Sequence, residues 1–215
     1  MSEMKTIAAV IPAFNESQAI QGVVGKVVEF AEPIVVDDGS TDDTNDLAKA
    51  SGCTVVTHPT NMGYEKALET GIKRAIADGF KYIVTLDADG QHDPTIIKSF
   101  AAKIDGGFDI VIGERDKMQR VGETMFGFIA RCAWNIRDPL SGMKAYRAEI
   151  MPQLLSGREY DSVGTKFVIR AVRRGFKVGQ IQIKTRERVG STRFGSGWGA
   201  NKKIFSAITN GLLDY

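Results

Sequence analysis

The chain of 215 residues is 43% hydrophobic and 25% charged, the balance of an ordinary soluble globular protein large enough to bury a sizeable core. A net charge of +2 is too small to argue for a nucleic-acid partner, and no apolar run approaches the roughly 18–20 residues that span a bilayer. Cys53 and Cys132 lie too far apart for a metal-ligand spacing and read as reduced thiols of a cytoplasmic protein, and two histidines, His58 and His92, are too few for a zinc site.

Residues 1–6 are polar and lead straight into a strand-like run, so no secretory signal is expected. Residues 7–11, a short apolar run stopped by Pro12, predict a buried parallel strand. Ile20, Val23, Val24, Val27 and Val28 then recur at helical spacing, with Asn15 or Ser17 as the N-cap. Residues 34–36 predict a second strand, after which the turn formers Asp37, Asp38, Gly39 and Ser40 lead into a polar helix ending near Gly52. Residues 54–57 predict a third strand. Ala67, Leu68, Gly71, Ile72, Ala75 and Ile76 form the next apolar stripe, closed by Gly79. Residues 82–86 predict a fourth strand, and Asp93 and Pro94 open a helix whose stripe is Ile96, Ile97, Phe100, Ala101 and Ile104. Residues 109–112 predict a fifth strand. Beyond Arg115 the pattern loosens. Residues 117–137 read as a helix with Met125, Phe126, Phe128, Ile129, Trp134 and Ile136 beside Arg120, Arg131 and Arg137, and residues 198–213 as a basic amphipathic segment.

Strands separated by helices of this length imply right-handed βαβ crossovers, hence an α/β fold with a mostly parallel sheet and helices on both faces. Ligands of such sheets bind beyond the carboxyl ends of the strands. Here those ends carry residues 12–16, Asp37 with Asp38, and residues 87–89, so the acidic residues converge on one edge. Asp87, Ala88 and Asp89, followed by Gly90 and Gln91, place two carboxylates at a strand-to-loop turn. There they can approach one hard divalent cation, since Mg2+ takes one or two carboxylates completed by water and phosphate oxygens, and such a cation neutralises a leaving diphosphate. Taken alone, Asp-x-Asp marks a solvated turn more often than a metal site. The turn at 37–40 is first of all turn chemistry; the sharper reading is a carboxylate accepting the N–H or O–H donors of a base or ribose.

In combination these segments say more. Residues 10–16 read VIPAFNE, 34–44 IVVDDGSTDDT, 61–75 NMGYEKALETGIKRA and 82–94 YIVTLDADGQHDP. In this order and spacing, over residues 5–116, the chain resembles the nucleotide-diphospho-sugar glycosyltransferases of family 2. The resemblance implies a GT-A fold, Rossmann-like, and an inverting transferase with Mg2+ or Mn2+ at the Asp-x-Asp motif. Residues 108–116 (FDIVIGERD), 138–147 (DPLSGMKAYR) and 187–195 (ERVGSTRFG) are similar to the dolichyl-phosphate mannose synthases and their bacterial polyprenyl-phosphate relatives. Carried over by position, the resemblance puts Pro12, Phe14, Glu16, Val36 and Asp38 around the nucleotide base and ribose, and Asp87, Ala88 and Asp89 at the diphosphate. It puts Asp89, Gln91 and Asp87 on the metal, Arg115, Arg131 and Ser141 at a lipid phosphate, and Arg193 over the donor. Asp89, Arg115 and Arg131 are the residues expected to carry the chemistry.

Three positions depart from that pattern. Phe14 replaces the commoner tyrosine. Glu187 stands where an arginine is expected three residues before Gly190, leaving Arg186 or Arg188 as its substitute. Lys166 stands where relatives carry a carboxylate, and reads either as a solvated helix charge or as a further cation for phosphate. A hydroxyl acceptor needs a general base, whereas a phosphate monoester is already ionised and needs cations, for which arginine's planar fork is suited. The expected activity is therefore transfer of a hexose from a GDP- or UDP-sugar to polyprenyl (dolichyl or undecaprenyl) phosphate. It is assigned to a single domain spanning 1–215, with residues 5–116 holding donor and metal and 117–215 forming the acceptor side and membrane interface. The expected partners are the nucleotide sugar, the lipid phosphate and a membrane surface met peripherally at its cytoplasmic face, with a second copy or a membrane-protein partner left open and nucleic acid excluded. Two rivals remain: transfer to a saccharide hydroxyl with Glu159 or Asp161 as base, and a non-catalytic nucleotide-binding subunit.

Overall fold

The computed structural model of the protein describes residues 6–116, 121–156 and 164–188. Arg120, Glu159, Asp161, Arg193 and the basic stretch 198–213 lie outside the described residues, as do the side chains of Met125, Phe126 and Ile129.

Seven strands form one sheet: β1 (Ile7–Ala13), β2 (Glu32–Asp37), β3 (Thr54–Thr57), β4 (Tyr82–Thr85), β5 (Ile110–Arg115), β6 (Lys144–Arg147) and β7 (Val178–Ile183), in the order β3-β2-β1-β4-β6-β5-β7. The helices are α1 (Ile20–Val27), α2 (Thr44–Ala50), α3 (Tyr64–Ala77), α4 (Ile97–Asp105), α5 (Val121–Trp134), α6 (Met151–Leu155) and α7 (Lys166–Arg173). The sheet is the mostly parallel, two-faced α/β sheet that the alternating strand and helix patterns predict. Successive β1 side chains point to opposite faces. Ala8 and Val10 join one buried cluster with Leu68, Ile72 and Phe167, while Ala9 and Ile11 join a second with Val24, Ile97 and Phe100. Each fully buried Ile or Phe of this kind contributes about 1.5–3 kcal/mol. Gly71 lets α3 lie close on the sheet, because a Cβ there would overlap the Val10 side chain.

Two local expectations are corrected. Neither Asn15 nor Ser17 caps α1; the N–H groups of Ala19 and Ile20 donate to the Glu16 carbonyl instead, and the Asn15 side chain is used elsewhere. β5 continues three residues past Ile112, because it pairs in parallel with β7 as far as Arg115 opposite Ile183.

The loose second half supplies β6 and β7, which sequence patterning did not reveal. β6 is antiparallel to both neighbours, with Lys144 opposite Thr85 of β4 and Ile112 of β5. Its amino end, not its carboxyl end, therefore lies at the edge where β1, β2, β4, β5 and β7 finish. That reversal brings the loop 138–143 and Lys144 to the ligand edge, and β7 delivers residues 184–188 to the same place.

Candidate active site

On one side of this edge, hydrogen bonds join two strand ends. The Asp38 N–H donates to the Ala13 carbonyl at 2.8 Å and the Glu16 N–H to Thr44 Oγ1 at 2.7 Å. Asn15, at φ 52°, accepts the Thr41 N–H at 2.7 Å through Oδ1. Pro12 and Val36 are buried and Phe14 half-buried beside them. Asp37 is the turn carboxylate, accepting from the Ser40 N–H at 3.2 Å and from Asn45 Nδ2 at 2.8 Å. Asp38 is buried and holds the loop that follows β3, accepting from the N–H groups of Met62 (2.9 Å) and Gly63 (2.8 Å), with His58 Nδ1 at 2.6 Å. A carboxylate only accepts, so His58 Nδ1 carries the hydrogen, and Nε2 meets the Thr70 hydroxyl at 3.0 Å. His58 is thus a structural residue. Three of the roughly four acceptor directions of Asp38 are taken, which leaves one for a ligand. Gly39, at φ 71°, is forced by the same loop: a Cβ would lie 2.5 Å from the Thr60 carbonyl carbon.

The Asp-x-Asp run follows β4. Asp87 accepts from the Tyr64 hydroxyl at 3.3 Å, and its own N–H donates to His92 Nδ1 at 3.2 Å, so that ring nitrogen is unprotonated. Asp89 is buried; its Oδ1 accepts the Gln91 N–H at 3.0 Å and its Oδ2 the Arg188 guanidinium at 3.0 Å. Burial pushes the Asp89 carboxyl above the ordinary carboxylate range, the neighbouring Asp87 charge adds to this, and the Gln91 N–H and Arg188 oppose it. Ala88 is buried between the two acids. The Gln91 amide donates to the Arg186 carbonyl at 3.4 Å, so its Oε1 is the acceptor end. Two carboxylates that crowd each other, one of them already drawing a guanidinium, form a donor set that calls for a cation. Among the described residues no cluster of three or more His, Cys, Asp or Glu forms a complete cage. Asp89, Asp87 and Gln91 therefore fit a hard divalent ion whose shell is finished by phosphate and water.

Arg186 and Arg188 differ in what they touch. Arg186 pairs with half-buried Asp93 at 2.7 Å, whereas Arg188 joins Asp89 to Glu16, 2.6 Å from Glu16 Oε1.

Across the edge lies a second group of charges. Asp138, 1% exposed, accepts from Arg115 Nε at 2.7 Å, from Arg115 NH2 at 2.9 Å and from the Arg115 N–H at 3.1 Å. Ser141 is buried; its Oγ accepts the Met143 N–H at 3.3 Å, and its carbonyl accepts from Lys144 Nζ. Burial drives the Lys144 ammonium down to about 8, against the pull of Asp138, Asp87 and Glu65. Gly142 stands against Asp87, where a Cβ would overlap its carboxylate. Arg131 is exposed near the end of α5, three residues past the 70% exposed Phe128. The structure brings Arg115, Ser141 and Asp138 together with Lys144 and does not bury Arg131 among them.

Lys166 is a correction. It is 1% exposed, so it is not a solvated helix charge, and sits 3.8 Å from Glu65 and 3.9 Å from Glu69 of α3. Sequence reasoning also missed Lys144, Asp138, Gly142 and Tyr64, all of which lie inside the quoted motifs; only the antiparallel pairing of β6 gives Lys144 a reason to face Asp87.

Paired carboxylates at the carboxyl edge of a Rossmann-like sheet, faced by an arginine-bearing strand end, define a glycosyltransferase of GT-A architecture. The chain belongs to glycosyl transferase family 2, whose family model matches residues 8–155. It is 28% identical over 214 residues to a dolichyl-phosphate hexose transferase of Haloferax volcanii, covering 92% of each chain. It is 30% identical over 207 residues to the polyprenol monophosphomannose synthase of Mycolicibacterium smegmatis, covering 83% of this chain and 77% of that one. Its fold superposes with a TM-score of 0.78 on glucosyl-3-phosphoglycerate synthase of Mycobacterium tuberculosis in complex with Mn2+, UDP-glucose and phosphoglyceric acid. There the identity is 22%, over 97% of this chain and 79% of the other. Among the described residues no helix is long and apolar enough to cross a membrane.

Proposed function

We propose that the protein transfers a hexose, with inversion, from a UDP- or GDP-sugar to a polyprenyl phosphate. The observation that carries the acceptor is the pair of cations on this side of the edge: Arg115, held on Asp138, and Lys144 beside Ser141. Such a site orients an anion and offers it positive charge, whereas a hydroxyl acceptor needs a base. The named relatives, which act on dolichyl and polyprenol phosphates, support the same reading.

In the proposed step a phosphate oxygen of the lipid forms a bond to the anomeric carbon as the bond from that carbon to the diphosphate breaks, and the nucleoside diphosphate leaves. Pro12, Phe14, Val36 and Asp38 would receive the nucleoside, and Arg188 the diphosphate, with Arg193 closing over it. Asp89, Asp87 and Gln91 would hold Mg2+ or Mn2+, which supplies Lewis acidity to the departing diphosphate. Arg115, Ser141 and Arg131 would place the lipid phosphate for in-line attack, and exposed Phe128 with Arg131 suits a peripheral approach to a membrane surface. The test incubates labelled UDP- and GDP-sugars with polyprenyl phosphate and extracts the lipid. Label should enter the organic phase only with Mg2+ or Mn2+ present and not with Asp89→Ala. Transfer that is independent of metal and indifferent to Asp89 overturns the reading.

A further inference from the structure

Arg188 occupies the position where a cation is needed. Its guanidinium lies 3.0 Å from Asp89 Oδ2 and 2.6 Å from Glu16 Oε1, and both carboxylate side chains are at least nine-tenths buried. The other Asp89 oxygen already accepts the Gln91 N–H. A buried carboxylate of this kind is stabilised by one cation at a time, because a second positive charge on the same oxygen repels the first.

The fork is also incompletely satisfied. Arg188 Nε is buried without a hydrogen-bond acceptor, an arrangement that costs stability until an anion supplies the missing oxygen. The chain before it is pinned: the Arg186 N–H donates to the Gln91 carbonyl at 2.9 Å, and the Arg186 side chain pairs with Asp93. Arg188 lies two residues beyond that anchor, where its long side chain can exchange partners without moving the main chain at Arg186.

We propose that Arg188 is a stand-in cation. With no donor bound it neutralises Asp89 and Glu16; when metal and nucleotide enter together it gives up Asp89 and turns its fork, Nε included, to the diphosphate. Bare metal therefore binds poorly, and metal and nucleoside diphosphate bind cooperatively. This rests on the metal-dependent donor reading given above, and deepens it by assigning the order of binding.

The experiment titrates Mn2+ by electron paramagnetic resonance, alone and with UDP or GDP, into the wild type, Arg188→Gln, Arg188→Lys and Asp89→Asn. A neighbouring charge shifts a carboxylate's affinity for a cation such as a proton by roughly one to three powers of ten. Arg188→Gln should accordingly bind bare Mn2+ about tenfold more tightly and lose most of the nucleotide's enhancement, while Arg188→Lys, which keeps the charge, should remain close to the wild type for bare metal. Unchanged bare-metal affinity in Arg188→Gln, or identical behaviour of the Gln and Lys variants, overturns the proposal while leaving the metal reading intact. If the wild type binds no Mn2+ even with nucleotide, or Asp89→Asn binds it as the wild type does, the metal reading falls and takes the proposal with it.

Discussion

Gly142→Ala should nearly silence the enzyme while leaving it folded. Gly142 has an ordinary backbone conformation, outside the left-handed region, so alanine brings no dihedral strain there. The conflict is steric: the new methyl would sit 2.6 Å from both Cγ and Oδ1 of Asp87, and closer still to Oδ2. Ordinary contacts between such atoms are about 3.5 Å or longer, so the whole carboxylate must retreat by about 1 Å. It can do so, being 34% exposed on its side chain, but only by leaving the Tyr64 hydroxyl. Forcing a side chain off its rotamer costs about 0.5–1.5 kcal/mol, which lowers the melting temperature by only about 1–6 °C in a domain of this size. The same displacement at a reacting centre costs roughly 100-fold in rate. The assay pairs sugar transfer at saturating donor with a thermal melt of the same preparation. A variant that melts normally and turns over normally would refute the placement of Asp87 at the chemistry.

Asp38→Asn sets an amide N–H2 against donors that now meet a carboxylate, and should cost about 1–3 kcal/mol in urea denaturation besides weakening nucleotide binding; an unchanged midpoint contradicts its loop-holding role. Lys144 has a folded pKa of about 8 against 10.5 for a free lysine. Between those values the unfolded chain binds more protons, so stability should rise with pH through that window and be flat below it, by up to about 3 kcal/mol in all. Urea midpoints from pH 7 to 10 should show that rise in the wild type and lose it in Lys144→Met; parallel profiles would contradict the buried charge. Arg131 is exposed, so water and salt weaken its contact with a phosphate. Arg131→Ala should raise the apparent KM for polyprenyl phosphate about two- to fivefold with donor KM unchanged, and an unaltered acceptor KM removes Arg131 from the site.

Most of the first five strands were legible because they are short apolar runs ended by Pro, Asp or Gly, and three of the four helices between them carry clean stripes. The acidic edge followed from topology alone. β6 was not legible: Lys-Ala-Tyr-Arg looks polar, yet Lys144 is 2% exposed and survives there on nearby carboxylates. β7 reads VGQIQI, an alternation too weak to separate from its loose surroundings, and only pairing with β5 defines it. Lys166 misled for the same reason as Lys144, since lysines are seldom buried, and its partners Glu65 and Glu69 are about a hundred residues away in sequence. Arg186 and Arg188 both lie in the irregular stretch after β7, and only their partners tell them apart, Asp93 for the first and Asp89 with Glu16 for the second.

The central claim is that the acceptor nucleophile is a phosphate oxygen positioned by cations. One competition measures it most directly: labelled donor, Mg2+ or Mn2+, and equal concentrations of polyprenyl phosphate, the uncharged polyprenol of the same length, and a simple saccharide. The account predicts label on the lipid phosphate alone. Efficient glycosylation of the saccharide, with the lipid phosphate ignored, would contradict it.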